Sequence, residues 1–393
     1  MMKLKQTPED FIVEEMYHPT FSKEGKYSLY LLEKTSLDTL EAKKIIMRKF
    51  RIAYPEIGIA GLKDKHAKTT QYLSIKGRDG QRYTFMEKNI SLQFIGFVEQ
   101  PLKTGDLEKN KFTITVRALR KDELDKIKKA TEQTKQFGVP NYFDTQRFGS
   151  LQGTSDFIAK HLIFDDFETG LKLFLTRKRG FERASVRNCR KSLDMHWGQW
   201  ETLVEQCAPV AKHLREEYRV LEYLVKNQND FVGAFKLLDR TIKELFVSAY
   251  QSFLWNECVK LLLRQKIQKL VEFPYGAGKL LFYKELSPEL LEQWRTYALP
   301  MLSKKTRVSY ELQRIVDRVL RKEGLTLDDL VVKKMTSLFF KERPRSMLLF
   351  PQNLAATEPE KDELNNGLYK ITLSFALEKG AYATIIIKRI CQL

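Results

Sequence analysis

The chain has 393 residues, of which 43% are hydrophobic and 11% aromatic, and its formal net charge is +18. This length allows two domains, or one domain with a large insertion, so folding needs no metal or disulfide. No stretch reaches the roughly 18 apolar residues of a membrane span, and the acidic start MMKLKQTPEDFIVEE is unlike a signal peptide. We therefore expect a globular, cytoplasmic protein without a membrane anchor.

The first third of the chain predicts short strands and one helix. FIVEEM and YSLYLLEK have the apolar and aromatic character of strands, and Ser36 could cap a helix through LDTLEAKKIIMRKF. IGIAGL and TTQYLSIKG predict two more strands, joined by KDKHAK. Connections of this kind often display functional side chains.

The next segments alternate between strand and helix. KFTITVRAL predicts a strand, and KDELDKIKKATEQTKQFG predicts a helix closed by Gly138. The helix leads into VPNYFDTQRFGS, where aromatic residues and an Asn could bind an unpaired base, or could simply form a buried aromatic turn.

From about residue 154 to 340 the patterns are helical, with RTIKELFVSAYQSFLWNECVKLLL as the clearest helix. LYKITLSFAL restores strand character, and AYATIIIKRI is β-branched as well. A β-rich start and finish around a helical middle predicts one domain interrupted by an insertion. YGAGKL, at 275–280, lacks the spacing of a phosphate loop and is better explained as a turn.

The cysteines and histidines favour no metal centre. The four cysteines include no C-x-x-C pair, so four reduced thiols are the simplest interpretation, and the five histidines show no ligand spacing.

The excess of basic residues favours a polyanionic partner such as RNA, although a lysine-rich solvated surface is the alternative. The densest cluster is RKRGFERASVRNCRK, at 177–191, and we expect its residues Arg187 and Arg190 to contact RNA phosphates. Further basic residues are KKTR at 304–307, Arg314, Arg318, Arg321, Lys322, Lys341, Arg343 and Arg345.

Asp64 is a single carboxylate among Lys63, Lys65 and His66 on the KDKHAK connection. Nearby cations keep such a carboxylate ionised, so it could serve as a nucleophile or a base. From charge alone, the simpler interpretation is a turn aspartate in a surface ion-pair network.

Taken together, five ordered segments resemble the TruD family of pseudouridine synthases. They span nearly the whole chain: TPEDFIVEE at 7–15, AGLKDKHAKTTQ at 60–71, PNYFDTQRFG at 140–149, SAYQSFLWN at 248–256 and SFALEKGAYATIIIKRI at 374–390. Two positions depart from the family pattern: Glu378 stands where a proline is common, and Lys109 where a glycine is usual.

The resemblance implies isomerisation of uridine to pseudouridine in tRNA, most often at position 13 and in many relatives in glutamate tRNA, without a cofactor or metal. It also implies an α+β fold. A catalytic domain with a mixed, mainly antiparallel sheet flanked by helices, at residues 1–153 and 346–393, would be interrupted by a helix-rich TRUD insertion at 154–345. A helix would follow GAYAT, against the β-branched character of TIIIKRI. We expect a monomer.

The resemblance also assigns site residues. Asp64 corresponds to the essential catalytic aspartate, and Lys5 to a basic residue that pairs with it, with Lys3 as a competitor. The substrate-contacting positions correspond to Phe11, Asn141, Phe143 and Tyr382.

Two other functions are consistent with parts of the sequence. An RNA-binding or RNA-chaperone protein would explain the charge but would have no need of Asp64. A hydrolase that uses Asp64 with His66 would release a base or cleave a strand.

Overall fold

The computed structural model describes residues 2–77, 82–149, 156–178 and 182–391. It divides into two compact units. The first unit is Met1–Val139 with Leu349–Leu393, and the second unit is Pro140–Leu348. The first division precedes the predicted boundary near residue 153, so Asn141 and Phe143 belong to the second unit. The assignment of a catalytic domain and a TRUD insertion stays a prediction.

The N-terminal part of the first unit contains the predicted strands and helices, and also two strands between residues 85 and 98 that the sequence does not predict. Asp38 caps the first helix by accepting a hydrogen bond from the Glu41 main-chain N–H at 2.8 Å, so the predicted cap at Ser36 is wrong. The elements are β1 (Phe11–Met16), β2 (Tyr27–Thr35), α1 (Thr39–Phe50), β3 (Ile57–Ile59), β4 (Lys68–Lys76), β5 (Phe85–Glu87), β6 (Ile90–Val98), β7 (Lys109–Leu119) and α2 (Lys121–Phe137).

The middle of the chain is mostly helical, as predicted, with a few short strands. Tyr275 pairs with Gly278 in a two-stranded hairpin, which confirms the turn expected at YGAGKL. The elements are β8 (Val139–Pro140), α3 (Ile158–Ile163), α4 (Phe167–Thr176), α5 (Ala184–Met195), α6 (Trp200–Cys207), α7 (Arg215–Lys226), α8 (Phe231–Leu237), α9 (Arg240–Lys266), β9 (Val271–Tyr275), β10 (Gly278–Phe282), α10 (Pro288–Arg295), β11 (Ala298–Pro300), α11 (Tyr310–Lys322), β12 (Pro344–Ser346) and β13 (Leu348–Leu349).

The C-terminal segment returns to the first unit. A helix begins at Ala383, near the end of the GAYAT segment, where the family resemblance implies a helix and not a strand, because the apolar residues of TIIIKRI are buried at helical spacing. The elements are β14 (Gln352–Ala356), β15 (Glu360–Lys361), β16 (Tyr369–Glu378) and α12 (Ala383–Cys391).

The first unit is built on a mixed sheet with the strand order β14-β16-β7-β1-β4-β2-β6-β5, with β15 beside β16 and β3 beside β4. Among the described pairs, β1 and β4 run parallel and the others are antiparallel. Ala42 and Ile46 of α1 pack in a buried cluster with Tyr30 and Leu32 of β2. This mixed sheet with packed helices confirms the predicted α+β class.

The parallel β1–β4 pair determines which loops can meet. Parallel strands begin at the same edge of a sheet. The segment before β1 and the loop before β4 therefore approach each other, although 59 positions separate Lys5 from Asp64. This local topology brings two of the sequence motifs into contact.

The second unit contains a disulfide between Cys189 of α5 and Cys207 of α6. The expectation of four reduced thiols is therefore wrong for this pair. Their separation of 18 positions conceals the proximity, because the turn between the two helices returns the chain and leaves the Cα atoms 5.4 Å apart. Cys258 and Cys391 are free.

Among the described residues, no helix combines the length and apolar character that crossing a membrane would require.

Candidate active site

The loop between β3 and β4, residues 60–67, presents Asp64 to solvent. The Lys5 ammonium lies 2.9 Å from the Asp64 carboxylate, and about a quarter of each side chain is exposed, 28% and 27% respectively. The carboxylate therefore has a close cationic partner and remains accessible. Such an arrangement can stabilise charge on Asp64 without withdrawing the group from a substrate.

The other lysines near Asp64 in sequence have partners of their own. Lys63 forms a buried ion pair with Glu15 of β1, and Lys65 lies 3.3 Å from Glu41 of α1. Lys3, the predicted competitor of Lys5, donates a hydrogen bond to Asn365 at 2.7 Å. The structure thus places Lys5 against Asp64.

Phe11 lies directly beneath Lys5. The Lys5 Nζ atom is 4.0 Å from the centre of the Phe11 ring, which packs edge-on against Phe112 at 6.2 Å. Phe11 is only 3% exposed. A cation over an aromatic face is attracted to it, so Phe11 also helps to orient Lys5. Tyr382, immediately before α12, is partly exposed.

Asn141 and Phe143 lie in the second unit and are both held by Arg345. The Arg345 guanidinium donates to Asn141 Oδ1 at 2.7 Å and to the Asn141 carbonyl at 2.8 Å. It also stacks 3.9 Å from the centre of the Phe143 ring. The sequence marked Arg345 only as part of a basic run. Its role as an organiser of the NYF segment depends on contacts between residues 204 positions apart.

The SAYQSFLWN segment supports Phe143 from the long helix α9. Asn256 accepts a hydrogen bond from the Phe143 main-chain N–H at 3.0 Å and donates one to its carbonyl at 2.9 Å. Trp255 packs edge-on against the Phe143 ring at 5.7 Å. Direct contacts thus join the PNYFDTQRFG and SAYQSFLWN motifs, and the SAYQSFLWN motif holds Phe143 in place.

The basic cluster at 177–191 is less uniform than its sequence indicates. Arg190 is 2% exposed and pairs with Glu182 at 2.8 Å and Glu217 at 3.2 Å. The interpretation of Arg190 as a phosphate contact is therefore wrong, since its charge is neutralised inside the second unit. Arg187 is exposed, and residues 179–181, including Phe181, lie outside the described residues.

In the described ranges, no group of three or more His, Cys, Asp or Glu side chains could hold a metal ion.

Comparison with known proteins assigns the chain to a family. The model of the family described as tRNA pseudouridine synthase D (TruD) matches residues 1–390. The "Probable tRNA pseudouridine synthase D 2" of Methanocaldococcus jannaschii is 40% identical over 391 residues, which cover 99% of this chain and 91% of the relative. The "tRNA pseudouridine synthase D" of Aquifex aeolicus is 30% identical over 394 residues, with 99% and 98% covered.

A solved structure agrees with this assignment. The crystal structure of a Methanosarcina mazei protein with the same family name, TruD, superposes with a TM-score of 0.73 at 28% identity. The match covers 99% of this chain and 93% of that one. This chain therefore belongs to the TruD family of tRNA pseudouridine synthases, which are isomerases.

Proposed function

We propose that this protein isomerises a uridine of tRNA to pseudouridine and that Asp64 is its essential catalytic group. The observation that carries the proposal is the accessible Asp64 carboxylate paired with Lys5, within the segment that carries the family's aspartate motif. In this reaction the base leaves its sugar, turns and rejoins it through carbon. An ionised aspartate can act as a nucleophile toward the sugar or the uracil ring, or as a base toward a sugar proton.

We further propose that the reaction uses no cofactor or metal and that Phe11, Asn141, Phe143 and Tyr382 contact the substrate. A uridine stacked in folded RNA must flip out of its stack, which costs roughly a few kcal/mol. Stacking on aromatic side chains offsets about 1–3 kcal/mol per base. The partly exposed Tyr382 suits this role directly, while the buried Phe11 would act mainly from beneath Lys5.

The target we propose is uridine 13, with glutamate tRNA as the first candidate. Incubation of the protein with an unmodified transcript should produce pseudouridine at position 13, detected by chemical labelling and primer extension. A transcript with cytidine at position 13 is the matched control and should remain unlabelled there. Labelling at a different position would refute the proposed target, and no pseudouridine in any tRNA would refute the activity.

The alternative of an RNA-binding or RNA-chaperone protein is supported by the charge of +18. It predicts that binding and cellular function persist when Asp64 is replaced. We propose the enzyme instead, because a binding protein has no need of the Lys5–Asp64 pair. We further propose that the enzyme is a cytoplasmic monomer and that residues 154–345 form its TRUD insertion.

A basic ridge on α11, consisting of Arg314, Arg318 and Arg321, is proposed to contact the tRNA backbone. The three side chains are exposed at positions i, i+4 and i+7, opposite the buried face of the helix. Replacing Arg314 and Arg318 with Glu should weaken tRNA binding and reduce the salt slope by about two units, since each lost phosphate contact removes about 0.9. Binding titrations at several salt concentrations measure this slope.

The control for this prediction is Arg240→Glu in the same unit. Arg240 is exposed but already pairs with Glu244 at 3.0 Å, so its reversal should alter the slope by less than one unit. An unchanged slope in the α11 variant would place the basic ridge away from the RNA.

A further inference from the structure

Lys34 is a buried lysine that contacts the main chain of the Asp64 loop. It lies near the end of β2 and is 1% exposed. Its ammonium donates hydrogen bonds to the carbonyl of Leu37 at 2.7 Å, the carbonyl of Asp64 at 3.0 Å and, more weakly, the carbonyl of Lys63 at 3.4 Å. One side chain thus joins β2, the approach to α1 and the loop that carries the catalytic carboxylate.

An ammonium in this position is costly to bury. Burial lowers the pKa of Lys34 to about 8, although Asp38 and Asp64 favour its charged form and Lys63 opposes it. The residues paired with Lys34 across the sheet, Thr69 on β4 and Ile90 on β6, are uncharged. The free-energy cost of burying this charge is offset mainly by carbonyl dipoles, and the three carbonyls accept hydrogen bonds from all three N–H groups of the ammonium.

Besides the ion pairs of the Lys63 and Lys65 side chains, neutral side chains hold the main chain of the loop. Thr39 Oγ1 accepts a hydrogen bond from the Lys63 main-chain N–H at 2.9 Å, and Gln71 donates to the Gly61 carbonyl at 3.3 Å. Thr39 and Gln71 are themselves joined by a bond of 2.9 Å. Lys34 supplies a direct side-chain contact to the carbonyl of Asp64, next to the atoms that set the direction of its carboxylate.

Building on the proposed function, we propose that Lys34 is a positioning residue for the isomerisation, which holds the main chain at Asp64 in the orientation that the reaction requires. Lys34 acts through its hydrogen bond to the Asp64 carbonyl and does not touch the substrate. Deprotonation removes one N–H, so a neutral lysine cannot donate to all three carbonyls. Because its pKa is about 8, the charged form predominates below pH 8 and is lost above it.

The test replaces Lys34 with Met in the full chain and measures kcat and KM on unmodified tRNA. We expect kcat to fall by about 10²-fold at pH 7, the loss associated with a small misplacement of a catalytic group. KM should stay within about two-fold, because the RNA-binding surface is unaltered. The wild-type kcat should decline above about pH 8, whereas K34M should lack this decline.

Two further variants separate positioning from a general loss of packing. K34R keeps its charge at every pH in this range, so it should recover part of the activity and show no decline above pH 8. Lys43→Met is the matched control, because Lys43 is also buried, has a pKa lowered by burial and lies 3.6 Å over the ring of Tyr54. K43M should keep the wild-type kcat and pH profile.

A measurement without substrate makes the proposal independent of the proposed function. Hydrogen exchange at residues 61–67 should be at least about 10-fold faster in K34M than in wild type, and unchanged in K43M. Equal exchange in this loop, a wild-type kcat in K34M, or a wild-type alkaline decline in K34M would overturn the proposal. Absence of pseudouridine with wild type, together with fast exchange in K34M, would refute the activity and leave the anchoring role supported.

Discussion

Replacement of Asp64 with Asn is expected to lower the rate of pseudouridine formation by roughly 10⁴-fold or more, as found when an essential catalytic group is removed. The substitution keeps the size of the side chain and can keep a hydrogen bond from Lys5, which lies at 2.9 Å. It removes the negative charge, and a neutral amide is a far weaker nucleophile and base than a carboxylate. Single-turnover assays on an unmodified tRNA transcript would measure the effect.

Binding of tRNA should persist in this variant, because the basic residues remain in place. The matched control is Asp106→Asn, a change at another exposed loop carboxylate of the first unit. Asp106 accepts a hydrogen bond from the Lys103 main-chain N–H at 2.6 Å, and an Asn oxygen can accept the same bond. Wild-type rates in Asp64→Asn would show that the reaction does not depend on this carboxylate.

Much of the first unit can be predicted from sequence because its long strands, such as β4 and β7, are rich in β-branched and aromatic residues, although the nine-residue β6 is not predicted. The helix at Ala383–Cys391 shows the limit of this approach, since its β-branched residues favour a strand but are buried in a helix that exposes only a narrow face. The predicted cap of α1, Ser36, lies two positions before the observed cap, Asp38, for a local reason. Ser36 adopts a positive φ of 54°, which leaves Asp38 at the position where a side chain can reach the free N–H groups of the helix.

The contacts around the site were harder to predict, because they join residues distant in sequence. The motif predicts Asp64 as the catalytic residue, but no pattern shows that Lys34 donates to its carbonyl or that Arg345 stacks on Phe143. For Arg190 the sequence predicts an RNA contact where the structure has a buried ion pair. Its neighbours in sequence are basic, while its partners in space, Glu182 and Glu217, are acidic.

The two positions that depart from the family pattern, Lys109 and Glu378, come together only in the sheet. Lys109 and Glu378 are directly opposite each other where β7 and β16 pair. Opposite charges at facing positions of antiparallel strands are favourable by roughly 0.2–1 kcal/mol. The facing positions permit such a pair, but the Lys109 ammonium donates its hydrogen bond to Gln352 of β14 at 2.8 Å.

A buried charge cluster fastens the segment that carries Lys5 and Phe11. Arg117 of β7 pairs with Asp10 at 2.7 Å, Asp362 at 2.9 Å and Glu363 at 3.0 Å. Asp10 belongs to the PEDF turn that precedes β1, so the cluster ties this turn to β7 and to the C-terminal part of the first unit. Arg117 and Asp362 are nearly inaccessible to solvent.

Arg117→Met is expected to destabilise the protein by about 3–5 kcal/mol, because removal of one partner leaves buried carboxylates without compensation. Chemical denaturation at pH 7 would measure the loss. Arg120→Met is the matched control. Arg120 lies on the surface, with 64% of its side chain exposed, and pairs with Glu123 at 3.3 Å, so its loss should cost no more than about 1 kcal/mol.

The same cluster should make the free energy of unfolding depend on pH in the acidic range. Burial alone would raise the pKa of Asp362, but hydrogen bonds from Ala118, Asn365, Leu364 and Arg117 outweigh it and lower the pKa to about 2. The resulting stabilisation is complete above the ordinary pKa near 4 and is lost as pH falls toward 2. Asp362→Asn should therefore flatten the decline of unfolding free energy between about pH 4 and pH 2, while a decline as steep as in wild type would assign this dependence to other carboxylates.

In the Arg117→Met background, Asp362→Asn should recover part of the lost stability at pH 7, because it removes one of the uncompensated charges.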